Sequence, residues 1–230
     1  MRTLGLIGGM SWESTAIYYE LLNRGVKARL GGHHSAKLLL HSVDFAEIER
    51  MQRAGAWDEA GDMLAAAARA LEGAGAQAIV LCANTMHLVA PAIERAVAIP
   101  FLHIVDPTAR AIRAAGLTRV GLLATRFTME ETFYVGRLRE PHGIEAIVPD
   151  AEGRALVHRV IYDELVHGRV LDDSRADYVR VIDQLAKRGA QGVILGCTEV
   201  GMLVKPEAVA LPCFDTAALH AEAAIDFALA

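Results

Sequence analysis

Two stretches decide how this chain folds. They are Gly75-Ala76-Gln77-Ala78-Ile79-Val80-Leu81-Cys82-Ala83-Asn84-Thr85 and Gly189-Ala190-Gln191-Gly192-Val193-Ile194-Leu195-Gly196-Cys197-Thr198-Glu199. They align without a gap, 114 positions apart, so Cys197 falls opposite Ala83 and Gly196 opposite Cys82. Each reads as a glycine turn, a short apolar strand and a stop at small polar residues. Leu4-Gly5-Leu6-Ile7 is matched 116 positions later by Val120-Gly121-Leu122-Leu123, and Ile99-Pro100 ahead of Asp106 is echoed by Leu211-Pro212 ahead of Asp215. Repetition at half the length of a 230-residue chain predicts two similar lobes.

Outward from these stretches, short apolar runs alternate with longer segments of helical spacing, the pattern of parallel strands covered by helices. Strands are expected at 3–8, 36–42, 77–82, 100–104, 119–124, 144–148, 191–196 and 211–214, four in each half. Helix starts are read at Ser11, at Thr128-Met129-Glu130-Glu131 as a capping box, at Asp106-Pro107 and at Ser174. The expected fold is α/β, with two similar parallel-sheet lobes, 1–105 plus 215–230 and 106–214. A pseudo-twofold axis would relate them, with the cleft between them at the carboxyl ends of the strands, where open α/β sheets bind ligands.

Composition narrows the chemistry. Apolar residues make up 53 % of the chain, enough for a large core, and 28 acidic against 23 basic residues leave a net charge of -5. That balance argues against nucleic acid as a partner. No apolar run reaches the ~18 residues of a membrane span. Three cysteines without metal or disulfide spacing are expected to be reduced thiols in a cytoplasmic protein, with no metal site. Gly5-Leu6-Ile7-Gly8-Gly9 lacks the dinucleotide spacing and is not followed by a phosphate-binding Gly-Lys-Ser/Thr. None of the four lysines falls at a strand end to anchor pyridoxal phosphate, so chemistry without a cofactor is expected.

Four strand-to-helix junctions carry small polar residues: Gly8-Gly9-Met10-Ser11, Ala83-Asn84-Thr85, Thr125-Arg126-Phe127-Thr128 and Gly196-Cys197-Thr198-Glu199. Such junctions expose backbone amides that suit a carboxylate, and they serve equally as ordinary caps and turns. Cys197, between Gly196 and Thr198 ahead of a helix, is expected to have a lowered pKa and to act as an acid–base group, with Glu199 tuning it. A buried cysteine that merely packs is the competing reading, and it is the one adopted for Cys213.

These residues together resemble the cofactor-independent aspartate/glutamate racemases, in particular the subgroup of aspartate and broad-specificity amino-acid racemases. The resemblance runs through Gly8-Gly9-Met10-Ser11-Trp12-Glu13-Ser14-Thr15, His41-Ser42-Val43-Asp44-Phe45, Asn84-Thr85-Met86-His87, Thr125 to Met129 and Gly196-Cys197-Thr198-Glu199. It implies a two-lobed fold, a homodimer, and two cysteines that remove and return the α-proton of a small amino acid on opposite faces. It also implies substrate binding by Met10, Ser11, Ala83, Asn84, Thr85, Thr125, Thr128, Thr198 and Glu199. Gln52 falls where the family holds the substrate side chain, with Arg50 and Arg53 as competitors.

One position departs from that pattern. The family's first catalytic cysteine immediately precedes Asn-Thr, and here Ala83 holds that place with Cys82 one residue earlier. In a strand, a one-residue displacement reverses the side-chain direction. Either Cys82 reaches the substrate through a local bend, or Cys197 is the single catalytic thiol. Three functions follow as expectations: a racemase, a one-sided proton-transfer or decarboxylase-type relative, and a non-catalytic amino-acid-binding protein. His87, just after Asn84-Thr85-Met86, is read first as a helix-surface or capping residue, with a supporting donor as the alternative.

Overall fold

All paired strands run parallel, in two sheets of the same order. In the computed structural model, which describes Met1 to Ala230, the first sheet comprises β1 (Leu4–Gly8), β2 (Leu38–Ser42), β3 (Ala78–Leu81) and β4 (Phe101–Leu102), ordered β2-β1-β3-β4. The second comprises β5 (Arg119–Leu123), β6 (Glu145–Ile147), β7 (Val193–Leu195) and β8 (Cys213–Asp215), ordered β6-β5-β7-β8. The register repeats as well: Ile7 lies opposite Leu81 in one sheet and Leu123 opposite Leu195 in the other. The doubling read from the sequence is therefore a doubling of topology.

The first sheet is accompanied by α1 (Trp12–Leu30), α2 (Phe45–Ala54), α3 (Trp57–Gly73), a 3-10 turn at Thr85–Val89 and α4 (Ala90–Ala96). The second has α5 (Val105–Ala114), α6 (Arg126–Glu130), α7 (Thr132–Arg139), α8 (Ala151–Asp163), α9 (Asp172–Lys187) and α10 (Val200–Leu203). A last helix, α11 (Thr216–Leu229), leads out of the second unit and ends in the first. By contacts the units are Met1–His103 with His220–Ala230, and Ile104–Leu219.

Each unit has its own core. Strands β1 and β3 are buried along their whole length, as expected where helices cover both faces of a parallel sheet. In the first unit Ile7, Ile79, Leu81 and Met86 pack with Ile48, Leu64 and Ile93. In the second, Val120, Leu122, Val193 and Ile194 pack with Tyr134, Val157, Tyr178 and Ile182. α1 contributes Ser14, Thr15, Tyr18, Leu22 and Val26, a stripe at helical spacing.

The helix starts correct the sequence reading in three places. Ser11 caps α1 as expected, its hydroxyl accepting from the Ser14 amide. Thr128 is not a cap: Thr125 caps α6, and Thr128 is fully buried within that helix. α5 begins at Val105, so Pro107 is its third residue rather than its first. α9 begins at Asp172, and Ser174 turns its hydroxyl to Glu164 instead of capping.

Candidate active site

Both sheets carry the residues singled out in the sequence at the carboxyl ends of their strands. In the first unit the Cys82 amide bonds the Ile7 carbonyl at 2.9 Å, so the chain leaving β3 stays beside the chain leaving β1. Gly8-Gly9-Met10-Ser11 and Ala83-Asn84-Thr85 thus share one edge. Gly9 has φ +90°, and a Cβ there would strike the Val43 carbonyl, so this junction requires glycine. The Thr15 hydroxyl accepts from the Gly9 amide at 2.8 Å. Met10, Ser11, Ala83, Asn84 and Thr85 are all buried.

Gln52 belongs to the same group. It is buried on α2 with Nε2 3.1 Å from the Met86 sulfur, one residue beyond Thr85. Arg50 and Arg53, its competitors in the sequence, are exposed and paired with Glu59 and Glu49 respectively. The structure brings Gln52 to the Asn84–Met86 turn and leaves both arginines at the surface.

Cys82 is fully buried. Its sulfur lies 4.0 Å from the Val80 carbonyl, and burial pushes the thiol pKa far above its ordinary range. Ala83, next in the chain, retains slight exposure and packs with Met86 and Leu81 in the unit's core.

In the second unit the corresponding edge carries Thr125, Thr128, Cys197, Thr198 and Glu199. β5 and β7 are neighbours, and the Gly196 amide bonds the Leu123 carbonyl at 2.7 Å. The Thr216 hydroxyl donates to the Leu195 carbonyl at 2.9 Å and ties down the end of β7. A Cβ on Gly196 would lie 2.9 Å from Leu122 Cδ1 and 3.0 Å from Ala124 Cβ, so this close approach of two strand ends also selects glycine. Thr125 and Thr128 face each other, hydroxyl to hydroxyl at 3.2 Å.

Cys197 is half-buried and donates its thiol proton to Glu199 Oε2 at 2.9 Å. Burial raises its pKa well above the usual thiol value, and the negative charge of Glu199 raises it further. The lowered pKa expected from a helix N-terminus is therefore overturned. α10 is only four residues long, and its effect is outweighed by burial and an adjacent carboxylate. The thiol is thus held against a carboxylate that favours its protonated form. Cys213, the third cysteine, lines the second core with its sulfur 3.7 Å from the Leu211 carbonyl.

Of the remaining polar residues around these edges, the sequence singles out His87 alone. Tyr178 is buried and donates to the Val157 carbonyl at 2.9 Å, and burial pushes its phenol pKa up. Glu164 is buried between Ser174, at 2.5 Å, and Arg159. His87, His103 and His220 form a buried cluster in the first unit. No group of three or more His, Cys, Asp or Glu side chains converges to hold a metal ion.

Two parallel α/β units of the same strand order, each carrying small polar residues at its strand ends, define the class of fold. The family model for Asp/Glu/Hydantoin racemases matches residues 7–224, and the chain belongs to that family of racemases. Its structure is similar to that of a Yersinia pestis protein assigned as an Asp/Glu racemase, with 54 % identity, a TM-score of 0.93 and full coverage of both chains. An aspartate racemase homologue from Pyrococcus horikoshii OT3 is 35 % identical, with a TM-score of 0.87 and full coverage of both chains. The aspartate racemase of Picrophilus torridus, at 24 % identity and a TM-score of 0.79 over 99 % of this chain and 94 % of the other, shares the fold.

Proposed function

We propose that the chain interconverts the enantiomers of a small polar or acidic amino acid of the aspartate/glutamate type by direct proton transfer at the α-carbon, without pyridoxal phosphate. The observation that carries this reading is the Cys197–Glu199 pair, a thiol 2.9 Å from a carboxylate at the carboxyl end of β7. In the deprotonating direction Glu199 takes the thiol proton and the Cys197 sulfur then takes the α-proton, leaving a carbanion conjugated with the substrate carboxylate. In the reverse direction the thiol protonates that carbanion and recovers its proton from Glu199; inversion takes its proton on the opposite face from a water or another donor beside Ala83, the place of the family's first cysteine. Asn84, Thr85, Thr125 and Thr198 serve as donors to the substrate carboxylate, and Gln52 contacts its side chain.

The test is loss of the α-proton signal in deuterated water for each enantiomer of aspartate, glutamate and homoserine. Exchange that disappears in Cys197→Ala supports the reading, and absence of exchange across the panel in the wild type overturns it. A one-sided reaction is the second reading, favoured by Ala83 at the first cysteine position and by the burial of Cys82. It gives deuterium uptake from one enantiomer without formation of the other. We further propose a homodimer, supported by Trp12, Tyr19 and Leu30 exposed along one line of α1, and tested by light scattering. A cytoplasmic location agrees with three free thiols.

A further inference from the structure

The first unit contains a buried polar chain that the proposed reaction leaves unused. It ends on the carbonyl of Ala83, the residue standing where the family pattern has a cysteine. β3 leaves its ladder after Leu81, and a buried carbonyl beyond that point requires a donor from elsewhere. His87 supplies it: its Nδ1 lies 2.7 Å from the Ala83 oxygen. The backbone amide of the same residue donates to the Asn84 carbonyl at 3.1 Å. One residue thus captures two consecutive carbonyls and fixes the peptide planes on both sides of Asn84.

The ring that does this is itself held. His103 packs against it edge-on with centroids 4.6 Å apart, and His220 lies 5.9 Å away. His220 places Nε2 2.6 Å from the Leu102 carbonyl and Nδ1 2.8 Å from the Tyr18 hydroxyl. A carbonyl only accepts, so the proton is on Nδ1 of His87 and on Nε2 of His220.

The internal repeat shows that this device is specific to one unit. At the offset of the central match, His87 corresponds to Gly201; at the offset of the Ile99-Pro100 echo, His103 corresponds to Asp215. A Cβ on Gly201 would lie 2.7 Å from Asp215 Oδ2, so the two positions are neighbours in that unit too, but with no side chain at 201 to reach back to residue 197. The histidine clamp accompanies Ala83, and the glycine accompanies Cys197.

We infer that His87 is a positioning residue: by binding the Ala83 carbonyl through Nδ1 it sets the direction in which Asn84 and Thr85 present their donors to the substrate. This rests on the function proposed above. The test compares His87→Leu with His87→Asn, because the asparagine amide nitrogen occupies nearly the place of Nδ1 and can restore the bond, whereas leucine fills space only. Steady-state α-proton exchange is measured on folded variants matched by circular dichroism.

The leucine variant is expected to raise KM about tenfold or more with a smaller change in kcat, and the asparagine variant to recover to within about threefold of wild type. An unchanged KM in the leucine variant overturns the inference, and so does equal damage in both variants, which would make His87 a packing residue. Nitrogen-15 NMR of the imidazoles gives a readout independent of activity. A protonated Nδ1 on His87 is expected, and a protonated Nε2 with bare Nδ1 overturns the clamp. Wild type with the expected tautomer but no exchange on any amino acid defeats the proposed function, and this inference with it, while leaving the clamp itself established.

Discussion

Replacing Cys82 with alanine separates a catalytic thiol from a packing one. The side chain has no solvent exposure, and its sulfur is 4.0 Å from the nearest carbonyl partner, so almost all of its contribution is contact rather than hydrogen bonding. Deleting a buried group of this size removes about 0.8 kcal/mol of transfer free energy, and the unfilled space adds to that, for a total of about 1–2 kcal/mol. In a chain of this length each kcal/mol moves Tm by about 2–4 °C, so a decrease of about 2–8 °C is expected. Cys82→Ser should be less stable than Cys82→Ala, because its hydroxyl would be buried beyond bonding distance of the Val80 carbonyl, at a cost of about 1–3 kcal/mol. The assay pairs thermal melting by circular dichroism with α-proton exchange below the transition. Both variants should retain exchange within about twofold of wild type. Loss of exchange in a folded Cys82→Ala protein would refute this reasoning and make Cys82 a reacting group.

Three further outcomes are expected. Glu199→Gln removes the charge that raises the Cys197 pKa, so alkylation of Cys197 by iodoacetamide, followed by mass spectrometry, should reach its half-maximal rate at lower pH than in wild type; an unshifted profile contradicts the pairing. Cys82 and Cys197 hold their protons more tightly folded than unfolded, so stability should fall as pH rises above the unfolded thiol pKa of about 8.5, and urea titrations between neutral and alkaline pH measure this. Gly196→Ala forces a methyl group against Leu122 and Ala124, and overpacking of this kind costs about 1–3 kcal/mol, read as a lower urea midpoint together with impaired exchange.

The sequence carried the architecture because repetition survives where parallel strands must be apolar on both faces. Gly75–Thr85 and Gly189–Glu199 show that repeat directly, and both sheets follow it. Helix boundaries were less legible. Thr125-Arg126-Phe127-Thr128-Met129-Glu130-Glu131 offers two threonines with cap spacing, and the choice falls to Thr125 because Thr128 and Met129 are drawn into the core. The Cys197 pKa runs opposite to its sequence context. A thiol ahead of a helix suggests activation, but the direction of the Glu199 side chain and the depth of burial depend on how the turn closes. The histidine cluster was hidden for a different reason: His103 and His220 are separated by the whole second unit, and no local pattern joins them.

α11 has a consequence for how the chain is assembled. The piece that completes the first unit, His220–Ala230, follows all 116 residues of Ile104–Leu219. At about 5–20 residues/s, ribosomal synthesis of that stretch takes roughly 6–23 s. During this time α1 lacks the cover that Ile225 gives it at Gly25, and Leu102 lacks the imidazole of His220. The second unit is continuous and can close on its own. The unit that begins first along the chain is therefore the last to be finished, and the face of α1 at Gly25 stays uncovered until Ile225 arrives.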